Sequence, residues 1–364
     1  MKRSPGKLVT AVAFAGIVVV LVARLLFAGQ PQSGARKPPN EVEPVPALTP
    51  YVEAHTHFDS MDPGGTVRSA LAALDRQHAA MIFFLMPPDT FDHPGRFDAE
   101  VLLPSLKKYA GKLAVLGGGG TLNAMIIQSV TTGDAGPAVR KKFQERAEDL
   151  LREGVIGFGE MTAEHFDGVT PYQYAPADHP LYLLLADIAA EHGVPIDLHM
   201  EAVPQDMPLP AGLKSPPNPR MLHANIGAFE RLLAHNPRAK IIWAHAGADG
   251  TGYRTPDLCR RLLQAHPNLY MEIKTDPLAP GMNYPLADGK IKPEWLGLFT
   301  DFSDRFIMGS DQHYPEPKGS EQRWQELVLL FNQLPREVRR KIGTENIASI
   351  YGRSVASYLS AAKN

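Results

Sequence analysis

The sequence predicts a (β/α)8 barrel, or TIM barrel, because short β-rich runs alternate with amphipathic helical patterns after residue 50. The β-rich runs are continuously apolar, which is typical of parallel strands covered on both faces. A doubly wound open sheet is the alternative architecture. The eight runs are "YVEAH" (51–55), "AMIFFLM" (80–86), "KLAVLGG" (112–118), "GVIGFGE" (154–160), "VPIDLHM" (194–200), "AKIIWAH" (239–245), "NLYMEIK" (268–274) and "DRFIMGSD" (304–311).

Helical patterns with apolar residues three and four positions apart separate these runs. Several of them end in Gly or Asn-Pro, which are the usual stop signals of a helix. The chain ends in "TENIASIYGRSVASYL", which we expect to form a further helix packed outside the barrel. The patterns between the runs include "TVRSALAALDRQHAA", "PAVRKKFQERAEDLLREG", "PLYLLLADIAAEHG" and "NIGAFERLLAHNP".

The composition is that of an ordinary globular protein. The 364 residues are 44% hydrophobic and 21% charged, which is enough material for the core of one barrel. The formal net charge of -2 gives no reason to expect nucleic acid as a partner. The single cysteine, Cys259, excludes an intrachain disulfide and an all-cysteine metal site.

The N-terminus has the pattern of an export signal. Lys2, Arg3 and Lys7 precede an apolar run over 8–23, whose length lies between that of a cleaved signal and that of a membrane anchor. We therefore expect residues 1–28 to be a signal peptide or transmembrane anchor, and 29–50 a disordered Pro-rich linker. The barrel, residues 51–364, would be exported, either free in the periplasm or tethered to the inner membrane. A buried helix at the start of the fold is the alternative.

Polar residues close five of the predicted strands. Two of them, His55 and His57, are two positions apart, so their side chains point to the same side of a strand. The carboxyl ends of barrel strands meet on one face, so all these side chains would converge there. Imidazole suits Zn, Fe or Ni, and carboxylate also admits Mn. The predicted ligands of a divalent metal are His55, His57, Glu160, His199, His245 and Asp311.

Other polar residues near the strand ends are candidates for binding a substrate. Glu201 and Lys274 could orient the ligands or bind a substrate carboxylate, or they could form structural salt bridges. His313 follows Asp311 by two positions and would face either the substrate or the surface. "GGGG" (117–120) lacks the Lys-Ser/Thr of a phosphate loop, which favours close backbone packing instead.

The chain resembles the amidohydrolase superfamily and, more narrowly, its amidohydrolase-related family. The matching segments are "AHTH", "DLHME", "WAHAG" and "DRFIMGSD", and "HPNLYMEI" and "TENIASIYG" also have the appearance of that family. The resemblance covers about residues 51–359 and specifies no substrate.

The resemblance implies that His55, His57 and Asp311 bind a first metal. In members with two metals, His199 and His245 bind the second. In members with one, His199 joins the first set and His245 faces the substrate. Many members with two metals carry a carboxylated lysine at the end of the fourth strand and some carry glutamate, so Glu160 could bridge two ions. The amidohydrolase-related family often has only one metal and no ligand at this position, and Glu160 would then be a structural carboxylate.

We expect an enzyme that uses one or two divalent ions, with Zn the first choice and Mn or Fe as alternatives. Asp311 would act as general acid and base with His245 beside it, while metal-activated water attacks an amide, lactone or ester of a small molecule. Non-oxidative decarboxylation of an aromatic or unsaturated acid, phosphoester hydrolysis and a non-catalytic binding module are the alternatives. A homo-oligomer is compatible with the sequence.

Overall fold

The computed structural model of the chain describes residues 45–90, 98–166, 172–278, 280–316 and 321–361. They belong to a compact unit that begins at Val45. The predicted signal or anchor segment (1–28) and most of the predicted linker (29–44) lie outside the described residues. Within the described ranges, no helix is both long and apolar enough to cross a membrane.

Eight parallel strands form a closed barrel, which confirms the predicted architecture. Each strand pairs with the next along the chain, and the last pairs with the first, where Glu53 lies opposite Met308. The strands are β1 (Tyr51–Phe58), β2 (Ala79–Leu85), β3 (Leu113–Gly118), β4 (Phe158–His165), β5 (Pro195–Met200), β6 (Lys240–Ala246), β7 (Leu269–Ile273) and β8 (Phe306–Met308).

Helices surround the barrel, and local signals set their ends. Asp62 caps the first helix by accepting a hydrogen bond from the Gly65 amide, and His78 ends it in the left-handed region. The helices are α1 (Pro63–Gln77), α2 (Leu103–Leu106), α3 (Leu122–Thr132), α4 (Pro137–Glu153), α5 (Pro180–His192), α6 (Ile226–His235), α7 (Pro256–Ala265), α8 (Pro293–Asp301), α9 (Glu321–Gln333), α10 (Arg336–Arg340), α11 (Asn346–Tyr351) and α12 (Arg353–Ala361).

Short elements complete the chain between and after these. One turn of π-helix, Lys341–Glu345, joins α10 to α11, and the strand Gln312–Tyr314 runs parallel to β1. The other short elements are the 3-10 turns Ala99–Val101 and Lys107–Tyr109 and the strands Gln173–Tyr174, Met207–Pro208, Met221–Leu222, Leu286–Ala287 and Lys290–Ile291.

The C-terminal helices cover the end of the barrel at which the strands begin. Lys240, the first residue of β6, donates hydrogen bonds to the carbonyls of Ser349 and Ile350 at 2.9 and 2.7 Å. Tyr351 of α11 packs its ring against Phe83 of β2. The polar residues that the sequence pattern singled out lie at the opposite end, where the strands stop.

Three strands differ from the predicted ones by more than one residue at an end. β1 continues to Phe58, so His57 lies within the strand and not after it. β4 begins at Phe158, after Gly154 has ended α4 at a φ of 112°, and it continues to His165. Glu160 is therefore the third residue of this strand rather than its last. β8 is only three residues long, and the chain then turns at Asp311 before it resumes beside β1.

Close backbone packing explains Gly119, one of the four glycines at the end of β3. A Cβ atom on Gly119 would lie 2.2 Å from the carbonyl oxygen of Met86 and 3.0 Å from that of Glu160. The backbones of three neighbouring strands therefore approach each other more closely here than a side chain permits. This bears out the predicted packing role of "GGGG".

Replacing Gly119 with Ala should lower the free energy of unfolding by about 1–3 kcal/mol, because the clash is with backbone atoms that cannot rotate away. Gly227 is the matched control, since a Cβ there meets only the mobile guanidinium of Arg231 at 3.4 Å. Gly227→Ala should be neutral or stabilise by up to about 1 kcal/mol. Urea unfolding of both variants measures this, and equal effects would contradict the packing argument.

Candidate metal centre

The closed barrel brings the six predicted metal ligands together at the carboxyl ends of the strands. The His55 and His57 rings, both from β1, have their centroids 5.2 Å apart. The His245 ring of β6 lies 4.8 Å from that of His55, and the His199 ring of β5 lies 4.8 Å from that of His245. Four imidazoles thus follow one another around one side of the mouth.

Glu160 lies at the centre of these imidazoles. Its Oε1 is 2.9 Å from His199 Nδ1, 3.1 Å from His245 Nε2 and 3.8 Å from His55 Nε2. Its Oε2 is 3.5 Å from His57 Nε2. One carboxylate therefore faces nitrogens from both pairs of histidines, which is the position of a bridging ligand.

Asp311 closes the other side of the cluster. Its Oδ1 lies 2.9 Å from His57 Nε2 and 4.0 Å from His55 Nε2, while its Oδ2 lies 2.5 Å from Lys274 Nζ. The Asp311 amide donates to the His55 carbonyl at 2.9 Å. Asp311 and His245 have φ values of 56° and 71°, a costly conformation for residues other than glycine. The backbone is therefore strained at these two residues, one after β8 and one near the end of β6, and this conformation directs their side chains toward the cluster.

In each imidazole, the ring nitrogen that faces away from the cluster also lies near an oxygen atom that can accept a hydrogen bond. His57 Nδ1 lies 3.0 Å from the Leu85 carbonyl, which can only accept, so Nε2 is left with its lone pair toward the site. Glu272 lies behind both His55 and His245, with 2.7 Å from Oε2 to His55 Nδ1 and 3.3 Å from Oε1 to His245 Nδ1. This arrangement orients the rings as metal ligands require.

The charges of the cluster are mutually dependent. Burial raises the pKa of Glu160, but hydrogen bonds from His199 and His245 and the nearby His55 outweigh it and hold the pKa well below the usual range. Burial likewise opposes ionisation of Asp311, and Lys274 and His57 overcome it, so that pKa is also low.

The imidazoles respond in the opposite sense. Burial lowers the pKa of His199, but the carboxylates of Glu160 and Glu201 outweigh burial and raise it to about 9. Burial also lowers the pKa of His55, but the carboxylates of Glu272 and Asp197 outweigh burial and raise this pKa. The buried carboxylates are thus stable only beside positive charge, which either protons on the imidazoles or a divalent cation can supply.

The donor set fits such a cation. The described residues include the triads His55–His57–Glu160, His55–His245–Asp311 and Glu160–His199–His245, each with ligand atoms within 4.8 Å of one another. Among the described contacts, neither buried nitrogen of His55 has a partner in hydrogen-bond geometry, so the 2.7 Å approach of Nδ1 to Glu272 is a close contact and not a hydrogen bond. Imidazole nitrogens with one or two carboxylates are the donors that Zn, Fe and Mn accept. The mouth therefore has groups of side chains that could hold a divalent ion.

The three predicted substrate-binding residues surround this centre. Lys274 contacts Asp311, and Glu201 Oε1 lies 3.7 Å from His199 Nε2. The exposed His313 lies with its ring centroid 4.8 Å from that of His57. Lys274 and Glu201 thus contact candidate ligands, and their predicted role in orienting these ligands stays a prediction. Contact of all three with a substrate stays a prediction.

Sequence reasoning missed the two buried carboxylates beneath the imidazoles, Asp197 and Glu272. Both are fully buried, and Asp197 Oδ1 lies 3.4 Å from His55 Nδ1. Each stands two positions before a residue that the sequence did single out, Asp197 before His199 and Glu272 before Lys274. Since alternate strand residues share a side, a charge inside an apolar run was the available signal.

A barrel with buried imidazoles and carboxylates at the carboxyl ends of its strands defines a class of metal-site enzymes. The family model described as "Amidohydrolase" matches residues 133–353, which is more than half of the chain. The chain belongs to this amidohydrolase family and is an enzyme of that superfamily. No curated protein sequence matches it.

Solved structures share the fold at low sequence identity. A probable 2-pyrone-4,6-dicarboxylic acid hydrolase from Acinetobacter baumannii is 13% identical, with a TM-score of 0.50, over 83% of this chain and 99% of that chain. An uncharacterised TIM-barrel protein from Bordetella bronchiseptica is 12% identical, with a TM-score of 0.51, over 83% and 98%. A 2,6-dihydroxybenzoate decarboxylase from Rhizobium is 14% identical, with a TM-score of 0.48, over 83% and 98%. The first two likenesses support the barrel.

Glu164 is a further buried carboxyl on β4, beside the centre. It accepts hydrogen bonds from the Tyr172 hydroxyl at 3.1 Å and from Asn225 Nδ2 at 2.7 Å. Burial raises its pKa to about 7, although both hydrogen bonds lower it. Between its ordinary value of 4.5 and about 7, the folded chain keeps a proton that the unfolded chain has lost. Stability therefore falls as the pH rises through this window.

Glu164→Gln should remove this pH dependence, because an amide does not titrate. We expect the melting temperature of the wild-type chain to fall more steeply than that of the variant between about pH 5 and pH 8. Scanning calorimetry of both chains across this range is the measurement. Parallel curves would show that Glu164 does not hold its proton in the folded state.

Proposed function

We propose that this chain is a metal-dependent hydrolase that acts on an amide, lactone or ester bond of a small molecule. The observation that carries the proposal is Asp311, a partly buried carboxylate with one oxygen beside His57 and the other held by Lys274. An ionised carboxylate fixed at a candidate metal site is the group that moves protons in metal-assisted hydrolysis.

The residues divide into two candidate half-sites around Glu160. His55, His57 and Asp311 would hold one divalent ion, and His199 and His245 would hold a second, with Glu160 reaching both. When bound, such an ion supplies Lewis acidity toward water and toward the carbonyl oxygen of the substrate. We propose Zn as the first choice, with Mn and Fe as alternatives that the same donors accept.

The remaining chemistry belongs to the side chains. Asp311 Oδ1 takes the proton of the attacking water as the water oxygen bonds to the carbonyl carbon. It returns that proton to the nitrogen or oxygen that leaves when the scissile bond breaks. Lys274 keeps Oδ2 engaged, so that Oδ1 is the oxygen that faces the reaction. The net change is addition of one water across one bond.

Metal content per chain tests the arrangement directly. The full chain purified without chelator should contain about two ions, and Glu160→Ala should reduce this to one or none, because both half-sites lose a ligand. Glu164→Gln changes another buried carboxyl of the same strand and should retain both ions. One ion that is unaffected by Glu160→Ala would contradict the two-ion arrangement and favour single-metal hydrolysis or decarboxylation. No ion, even after addition of Zn or Mn, would overturn the proposed function.

Asp311→Asn should leave at least one ion bound yet lower kcat by about 10²–10⁴-fold, because the amide cannot accept the proton of water. The rate is measured on any lactone, amide or ester that a screen shows to be hydrolysed, with the metal content determined on the same sample. Near-normal turnover with unchanged metal would remove Asp311 from the role of general base.

A further inference from the structure

We propose that Glu272 couples the two half-sites, so that the two metal ions bind with positive cooperativity. The inference deepens the proposed function and rests on its two-ion centre. Glu272 would be a positioning residue, since it contacts imidazoles and not the reacting atoms. Nothing in the sequence pattern singled out this residue.

The contacts of Glu272 span both half-sites. Its Oε2 lies 2.7 Å from Nδ1 of His55, which belongs with His57 and Asp311. Its Oε1 lies 3.3 Å from Nδ1 of His245, which belongs with His199. One carboxylate thus supports one imidazole of each half-site, and the side chain is fully buried.

The other supports each serve a single imidazole. The Leu85 carbonyl contacts Nδ1 of His57, and Glu201 contacts Nε2 of His199. Asp197 lies 3.4 Å from Nδ1 of His55. Among the described residues, Glu272 is therefore the one acidic side chain that reaches both half-sites from behind.

Packing holds Glu272 in this shared position. A Cβ on Gly309 would lie 2.4 Å from Cδ of Glu272 and 2.6 Å from Cβ of His55. The backbone after β8 is therefore pressed against both groups, and the Gly309 amide is fixed by a 3.1 Å hydrogen bond to the Ile273 carbonyl. The carboxylate has little room to turn toward one imidazole without moving from the other.

A shared support makes the half-sites interdependent. A carboxylate behind a ligating histidine fixes the ring orientation and tautomer, and its loss typically costs about 10–100-fold in metal affinity. An ion in one half-site fixes one imidazole against Glu272. The same carboxylate is then held in place for the other imidazole, so the second ion binds to a more ordered site.

Stepwise metal titration of the full chain against a chromophoric chelator tests the coupling, with Zn(II) and with Co(II), whose visible spectrum reports each site. Glu272→Met removes both acceptor oxygens at similar side-chain length. Both dissociation constants should rise about 10–100-fold. Glu201→Met is the matched control, because the same chemical change behind His199 alone should raise only one constant.

Glu272→Gln separates coupling from a general loss of folding. The amide keeps one acceptor oxygen, so one constant should rise strongly and the wild-type cooperativity should disappear, with the circular dichroism spectrum unchanged. Equal behaviour of Glu272→Met and Glu201→Met, or wild-type ions that bind independently, would overturn the coupling while the two-ion hydrolase stands. A wild-type chain that binds one ion would overturn the two-ion centre and the coupling together.

Discussion

Pairing between the first and last barrel strands brings the candidate site together. The site residues of β4, β5 and β6 come from neighbouring strands, but His55 and His57 lie on β1 and Asp311 follows β8, at opposite ends of the strand order. Closure places Asp311 beside β1, where its amide bonds to the His55 carbonyl and its carboxylate reaches His57. In an open sheet with the same strand order, these residues would lie at opposite edges. Closure thus creates both the core and the site.

Buried charge is the second constraint on this molecule. The barrel interior near the mouth contains carboxylates at full burial, a placement that is stable only when positive charge compensates it. His55, His199 and Lys274, whose pKa values are raised, supply part of that charge. The stability of this region and its affinity for a cation therefore depend on the same buried carboxylates. A change at a supporting carboxylate affects both.

The sequence predicted the fold and the six candidate ligands because both leave a local signal. Apolar runs that alternate with helical patterns predict the barrel, and polar residues that end those runs predict its mouth. Asp197 and Glu272 were missed because they lie inside the apolar runs, where a charge contradicts the pattern. The start of β4 was missed because Val155–Ile156 are apolar but follow the left-handed Gly154 directly. Tertiary contacts, and not local preference, decide such positions.

The narrow space at Gly309 has a consequence for how this sequence can vary. In the Gly-Ser-Asp segment at 309–311, the glycine would ordinarily be expected to permit a turn before a functional aspartate. Here the glycine leaves room for the side chains of Glu272 and His55, and its own φ does not require glycine. The residue at 309 is therefore tied to the one at 272. The Cβ of His55 would also lie 2.6 Å from a Cβ at 309, and a Cβ cannot rotate away. A shorter side chain at 272 would therefore remove only part of the clash, and glycine at 309 is tied to the residues at both 55 and 272, although 36 residues separate 272 from 309.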